Sequence, residues 1–466
     1  MYSTKFGQLF KQLCLVGLIG AATPGCGSDD DPCDSSSNNY SCPEQRSVNY
    51  AFDSRFNAAE SSVAYDGQVV RHLLISDMMH YLEQLTERID RGDFVPQAGQ
   101  VADDLNFYLS FDLETVPNFS TALLLDLPLL QSRYADLSSP KNLLGKLAGN
   151  DPVGQHRDWI VDGLVGTQPS QSPEALINTW IDRIDTLAVA RTMQTPTDPT
   201  GRAIEHVYVS PEGLDYRTLL HRFLLGAVAY SQAADDYLGH DTEGKGLLSD
   251  NSVAEEDEPY TALEHSWDEA FGYFGLNRDG SSTYADTNED GKIDLMSEYS
   301  VGDAVLSAAL NNPPVAGVPR YKTAIFNAFV QGRQFITDSP TDPSSPALGG
   351  ETLNQLLRYC ETILTTWDEA LRHSIVVAID DLSTALDATG TNAYRFETIA
   401  ERWSHAYATL LSLQFNSLSA ISKGDIADSL DLLGQAPPRL ADELSEYQDN
   451  LADARDIVAR DLPLGQ

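Results

Sequence analysis

The chain runs to 466 residues and carries 69 acids against 30 bases, a net charge of −39. That balance argues against recognising nucleic acid or an anionic lipid surface by charge, and it favours cations. The acids are spread along the chain, so most of them read as an ordinary solvated surface. Five cysteines are too few for a disulfide-built fold, and the length suffices for two hydrophobic cores.

The N-terminus reads as an export signal. Lys5 and Lys11 lead into an apolar run at 13–22, LCLVGLIGAA, which is too short to span a bilayer as a mature helix. Thr-Pro-Gly-Cys follows, and this resembles the bacterial lipoprotein box, with Cys26 as the modified residue. The resemblance implies a signal peptide at 1–25 and an acylated Cys26, whose several chains suffice for stable anchoring. Plain secretion with cleavage nearby is the alternative. Gly27 after the cysteine resembles the pattern sent to the outer membrane in Gram-negative bacteria. The implied location is the cell envelope, facing the periplasm or the cell surface. Residues 26–48 are polar and suit a flexible tether. Cys33 and Cys42 within it are expected to pair, since export permits a disulfide.

From residue 49 the apolar pattern is helical. Val70, Leu73, Leu74, Met78, Tyr81, Leu82 and Leu85 recur at steps of three and four, predicting a helix over 67–91. Ser172-Pro173-Glu174 predicts a helix start, with a capping hydroxyl, a proline at the first position and an acid at the positive end. Ser210-Pro211-Glu212 repeats that signal before a helix expected to reach Leu238. HVYVS at 206–210 is the best strand candidate. Beyond the signature at 260–275, long helices are expected at 351–388 and 394–421, with a closing one at 440–460. The expected fold is all-α, helical bundles in two packed subdomains divided near 240–260, with a calcium-loop insertion and few or no strands. Cys360, alone in a helical pattern, reads as a small buried hydrophobe.

The densest chemistry lies at 260–275, YTALEHSWDEAFGYFG. As a helix it places His265, Asp268 and Glu269 on one face, because residues three and four apart are neighbours. Trp267, Phe271 and Phe274 are spaced as core residues. Two further helices carry a His and a Glu four apart: Glu369 with His373, and Glu401 with His405. Helical bundles build carboxylate–histidine sites for iron or zinc from such facing pairs. The plain alternative is surface pairs of a few tenths of a kcal/mol each. Trp267-Asp268-Glu269-Ala270 also recurs as Trp367-Asp368-Glu369-Ala370, a match of the kind chance or duplication of a helical unit produces.

A second constellation follows at Asp286, Asn288, Asp290, Lys292 and Asp294. With Gly291 and Ile293 it spells D-x-N-x-D-G-x-I-D, the opening of a calcium loop. Side-chain oxygens at alternate positions, and the Lys292 carbonyl, would wrap a hard cation. Position twelve is Ser297 and the acid is Glu298, one later, so an irregular or dockerin-like loop fits better than a sensor pair. A bound Ca²⁺ would be structural; an acidic turn without an ion is the alternative. The sequence holds no G-x-S-x-G elbow, H-E-x-x-H, phosphate loop or dinucleotide fingerprint.

The signature at 260–275, with SSVAYDGQVVRHLL at 61–74, HRFLLGAVAYSQAADDYL at 221–238, AFVQGRQFI at 328–336 and RWSHAYATLLSLQFN at 402–416, resembles the family catalogued as domain of unknown function 4856. That resemblance implies an exported bacterial lipoprotein. In general character it is similar to the imelysin-like proteins, helical, exported and associated with iron acquisition. Their G-x-H-x-x-E core is not matched strictly: Leu263 precedes His265 and Asp268 stands at the glutamate position. The resemblance therefore implies an accessory binding protein for metal or metal-complex acquisition, anchored by lipid and meeting envelope proteins. A scaffold lipoprotein without a transition metal is the second reading, and a metal-dependent hydrolase the third. Convergence of the three His/Glu pairs would favour the first or third; their separation would favour the second.

Overall fold

The computed structural model describes residues 49–281, 283–302, 321–438 and 444–462. The expected signal peptide, the tether, Cys26 and the Cys33–Cys42 pairing lie outside the described residues. Ten α-helices carry the described fold: α1 (Asp66–Asp90), α2 (Gln100–Leu109), α3 (Pro173–Arg191), α4 (Tyr216–Leu224), α5 (Ala262–Phe274), α6 (Tyr321–Thr337), α7 (Gly350–Asp387), α8 (Phe396–Ser412), α9 (Lys423–Leu433) and α10 (Leu444–Ala459). Two π-helical turns, Leu225–Tyr230 and Gln232–Tyr237, extend α4 without a break in direction. Among the described residues, strand-like pairing is limited to isolated bridges. The expected all-α architecture is what forms.

Local signals explain most of the boundaries. Ser172 caps α3 by accepting the Ala175 amide at 3.2 Å, with Pro173 in the first turn. Thr261 and Glu264 close a reciprocal capping box on α5, and Gly275 ends it at φ 80°, where a side chain would be strained. The helix start read at Ser210-Pro211-Glu212 is displaced. Those residues form a turn closed by Gly213, at φ 91°, whose amide donates to Ser210. Asp215 caps α4 instead, accepting the Thr218 amide at 3.0 Å. HVYVS makes no strand; Val209 bridges only Asp215 across that turn. The helix expected over 394–421 stops at Ser412 and passes into a short 3₁₀ turn. Asn416 there donates to the Tyr230 hydroxyl at 2.8 Å and to the Leu364 carbonyl at 3.2 Å, which turns the chain away from the helix axis.

The long α7 is the spine: α6, α8 and α10 pack on it, and α4 packs on α8. Against this layer, α5 packs on α1, α6 and the π-helical turns. The described residues belong to one compact unit. Asn251 pins the loop before α5: it donates to the Ile336 and Ser339 carbonyls at 2.9 and 2.8 Å and accepts from Arg55 and Thr261. No helix of the described residues is long and apolar enough to cross a membrane.

Two glycines set how closely the layers approach. A Cβ on Gly332 would overlap the Trp267 indole, and one on Gly226 would overlap the Ser412 side chain. Gly332 is helical, so Gly332→Ala gains helix propensity, yet it forces the buried indole out of place. The expected net outcome is a loss of about 1–3 kcal/mol, read as a lower urea midpoint; an unchanged or raised midpoint would show that the α5–α6 contact has slack.

Candidate functional site

The acids of the signature helix point inward. Asp268 is fully buried and accepts the Arg333 Nε at 2.9 Å, the Tyr50 hydroxyl at 2.6 Å and the Ala64 amide at 3.2 Å. Glu264, also fully buried, accepts Arg333 Nη1 at 3.0 Å and the Thr261 amide at 3.0 Å, and lies 3.4 Å from Arg55. Arg333 completes its fork on the Ser62 hydroxyl at 2.8 Å. Two acids thus face two guanidiniums with their oxygens engaged, the arrangement a buried charge requires. Burial pushes Glu264 up, but Arg333, the Thr261 amide and Arg55 outweigh it and hold the carboxyl below its usual range. Burial raises Asp268, opposed by Arg333 and the Tyr50 hydroxyl, and its two oxygens are already engaged by Arg333, Tyr50 and the Ala64 amide.

The three His/Glu pairs stand apart. His265 stacks on Tyr260, centroids 4.6 Å apart, with Nε2 3.8 Å from Glu269. Glu269 in turn accepts the Gln68 amide at 2.9 Å. His373 meets the Tyr321 ring edge-on at 6.0 Å, and burial pushes its imidazole down; burial raises Glu369. His405 is buried with Nε2 2.8 Å from the Ser374 hydroxyl, while Glu401 pairs with Arg402 at 3.4 Å. Among the described residues, His265, Asp268, Glu269, Glu369, His373, Glu401 and His405 do not gather into one ligand group. Each pair follows its own helix face, and Asp268 is claimed by Arg333. The echo of Trp-Asp-Glu-Ala is partly structural: Asp368 too is buried, 3.8 Å from Arg372.

Among the described residues, one group of three His, Cys, Asp or Glu side chains brings its ligand atoms within 4.8 Å of one another: Glu205, His206 and Glu397. It joins the loop before α4 to the first turn of α8. His206 Nδ1 lies 2.5 Å from Glu397, and that hydrogen bond holds the imidazole above its usual value. A protonated His206 makes this an ion pair; a neutral one would leave a carboxylate–imidazole set suited to zinc or iron.

The calcium-type loop fits a hard cation in part. Asp286 Oδ2 accepts the Gly291 amide at 2.9 Å, Asn288 accepts the Asp290 amide at 2.9 Å, and Gly291 sits at φ 80°. These bonds shape a tight loop in which Asn288 and Asp290 are exposed and Asp286 is half-buried. Ile293, fully buried, fastens it by pairing with Leu129. Glu298 is turned inward instead: it accepts the Thr287 amide and hydroxyl at 2.8 and 2.7 Å, and the Asn288 and Asp294 amides at 3.2 and 3.0 Å. Asp294 likewise takes Gln131 at 2.8 Å and the Ser297 hydroxyl at 2.7 Å. Glu298 and Asp294 close the loop from within.

Of the basic groups held inside the fold, His405 is singled out in the sequence by its spacing from Glu401, whereas His221 and Arg222 are not. Burial pushes His72 down to about 4, and burial beside Arg222 and other cations holds His221 and His405 well below the usual value. His72 Nε2 lies 3.0 Å from the Tyr273 carbonyl. The signal available was HRFLLG, a basic dipeptide in the last turn of α4, just before an apolar run.

Residues 171–341 match the family model described as domain of unknown function DUF4856. No curated protein and no solved structure matches the chain. The DUF4856 segment holds Glu264, Asp268, Arg333, Arg222 and the acidic loop. Tyr50, Ser62 and His72, which complete the same clusters, lie outside it.

Arg333→Met leaves Glu264 and Asp268 buried without their shared cation, and the expected loss is about 3–5 kcal/mol in urea unfolding; a loss under about 1 kcal/mol would remove the network from its central place. His72 predicts a pH dependence. Its folded-state value lies below the unfolded one, so the unfolded chain takes the proton first. Stability is full above about 6.5 and falls toward 4, by roughly 3 kcal/mol from this group alone. The stability advantage of wild type over His72→Gln should therefore shrink as pH drops from 7 to 4.5; a constant difference would refute this.

Proposed function

We propose that the protein is a lipid-anchored envelope protein whose helical body works by binding or scaffolding rather than by catalysis. The observation that carries this reading is the closure of Glu264 and Asp268 on Arg333. The signature helix locks α5 to α6 and to the 50–64 segment, and its Glu264 and Asp268 are already engaged by Arg333. The resemblance of the sequence around Cys26 to a lipoprotein box, and the polar stretch after it, support placement at a membrane surface outside the cytoplasm. Ca²⁺, carried by Asp286, Asn288, Asp290 and the Lys292 carbonyl, would brace the connection after α5, which already hangs from Ile293.

Metal acquisition remains the second reading, and the Glu205, His206 and Glu397 group is the observation in its favour. Element-resolved metal content decides between the two. The full-length chain, mildly chelated and dialysed, is compared with His265→Ala, His206→Ala and Asp290→Ala. The expected result is calcium alone, near one equivalent, lost in Asp290→Ala. Stoichiometric iron or zinc lost in His206→Ala would establish the acquisition reading at that group; loss in His265→Ala would restore the signature helix as the metal site.

A further inference from the structure

A groove runs along the surface between α9 and α10. One half, of about 620 Å³, is walled by Pro199, Pro211, Pro437, Pro438 and Tyr447. The other, of about 690 Å³, carries Asp428 and Asp431 on the α9 side and Asp453 and Asp456 on the α10 side. Asp431, Leu432 and Asn450 belong to both halves, so the two are continuous. The sequence explains this shape. On α10, Glu446, Asn450, Asp453 and Ile457 follow steps of four, three and four, which set them on one helix face. Leu451, Ala454 and Val458 take the buried face instead. On α9, Ile426, Leu430 and Leu433 are buried while Asp428 and Asp431 are exposed.

The groove is apolar at one end and acidic along the rest, and its acids are not answered from within. Among the described residues, Asp428, Asp431, Glu446 and Asp453 are exposed and form no ion pair. Exposed or half-exposed acids just outside it do: Asp380 takes Arg455 at 2.6 Å, and Asp425 takes Arg460 at 3.1 Å. Arg460, a cation of the lining, is thus already held by an acid outside the groove. Like charges three apart on one helix repel, so Asp428 with Asp431, and Asp453 with Asp456, weaken their own helices until a cation lies between them. Asn450, at the junction of the halves, makes no side-chain hydrogen bond among the described residues. Its amide offers both a donor and an acceptor, the pair that a peptide group matches.

We propose that this groove receives an extended, lysine- or arginine-bearing segment of a partner protein, an apolar residue at the proline end and cations along the aspartates. From Glu446 to Asp456 it follows α10 for about 15 Å, the reach of about four or five extended residues. Charge complementarity selects the partner. A metal ion is a poorer occupant, because three of these acid oxygens do not come within 4.8 Å of one another. A second copy of the chain is disfavoured by its net charge of −39. The proposal rests on the binding reading above and names a partner for it.

Fluorescence anisotropy of a labelled, end-blocked peptide, Leu-Pro-Arg-Ala-Arg-Lys, titrated with the full-length chain in chelator at about 0.15 M salt, tests it. Saturable one-site binding is expected. The paired change Asp431→Asn with Asp453→Asn should weaken it roughly tenfold. Both sites are exposed and the change keeps shape, so circular dichroism should show an intact fold. Glu114→Gln with Asp257→Asn removes the same charge outside the groove and should leave binding unchanged. No saturable binding up to about 1 mM overturns the proposal. Equal weakening by the two pairs also overturns it, since attraction would then be to the acidic surface at large. Displacement by spermine as potent as by unlabelled peptide assigns the groove to a polyamine and overturns the peptide. The chelator keeps this apart from the metal measurement: metal content decides the reading above, and failure here leaves that reading with its partner elsewhere.

Discussion

One guanidinium organises the centre of this fold. Arg333 lies at zero exposure and reaches Asp268 and Glu264 on α5, Ser62 in the N-terminal extended segment, and through Asp268 the hydroxyl of Tyr50. A buried charge is tolerated only when it is paired and fully hydrogen-bonded. That requirement couples three stretches far apart in sequence, and the network forms only when all are in place. Its neighbours enforce the same geometry without charge. Trp267 donates to the Phe329 carbonyl at 2.9 Å, and the Tyr50 ring stacks on Phe271 at 3.8 Å.

The network also decides what the signature helix does. With Asp268 and Glu264 turned inward, the face of α5 left toward solvent carries His265 and Glu269, one stacked on Tyr260 and the other held by Gln68. Chemistry that looked concentrated in the sequence is divided in space between a structural interior and a modest exterior pair. The other two His/Glu pairs ride on α7 and α8, whose packing against each other buries His405 against Ser374. The one three-residue group with metal-ligand spacing among the described residues sits elsewhere, where the loop before α4 meets α8.

The interior holds a second theme, basic groups kept mostly neutral. His72, His221 and His405 come from α1, α4 and α8, and burial favours their uncharged forms. His72 lies beside the place where the helix after Leu224 widens into π geometry. A widened turn is less favourable than a regular one, and here it lines a cavity of about 40 Å³, with the partnerless Thr409 and Tyr273 hydroxyls on other lining residues.

The sequence by itself determined the helical class and most of the element borders. The steps of three and four over 67–91, the Ser172-Pro173-Glu174 start and the run from 351 to 388 all became helices, because periodicity and capping are local properties. It also marked 260–275 as central. It misjudged Ser210-Pro211-Glu212, since the left-handed Gly213 that directly follows turned a helix start into a bend. What only the tertiary structure decided was the partner of each charged side chain. Arg333 is separated from Asp268 by 65 positions, and no spacing rule links them. Likewise His/Glu spacing of four fixes a shared face on one helix but not which neighbouring helix that face meets. That choice comes from packing around α7, where shape, burial and the two close glycine contacts set which chains of side chains can touch.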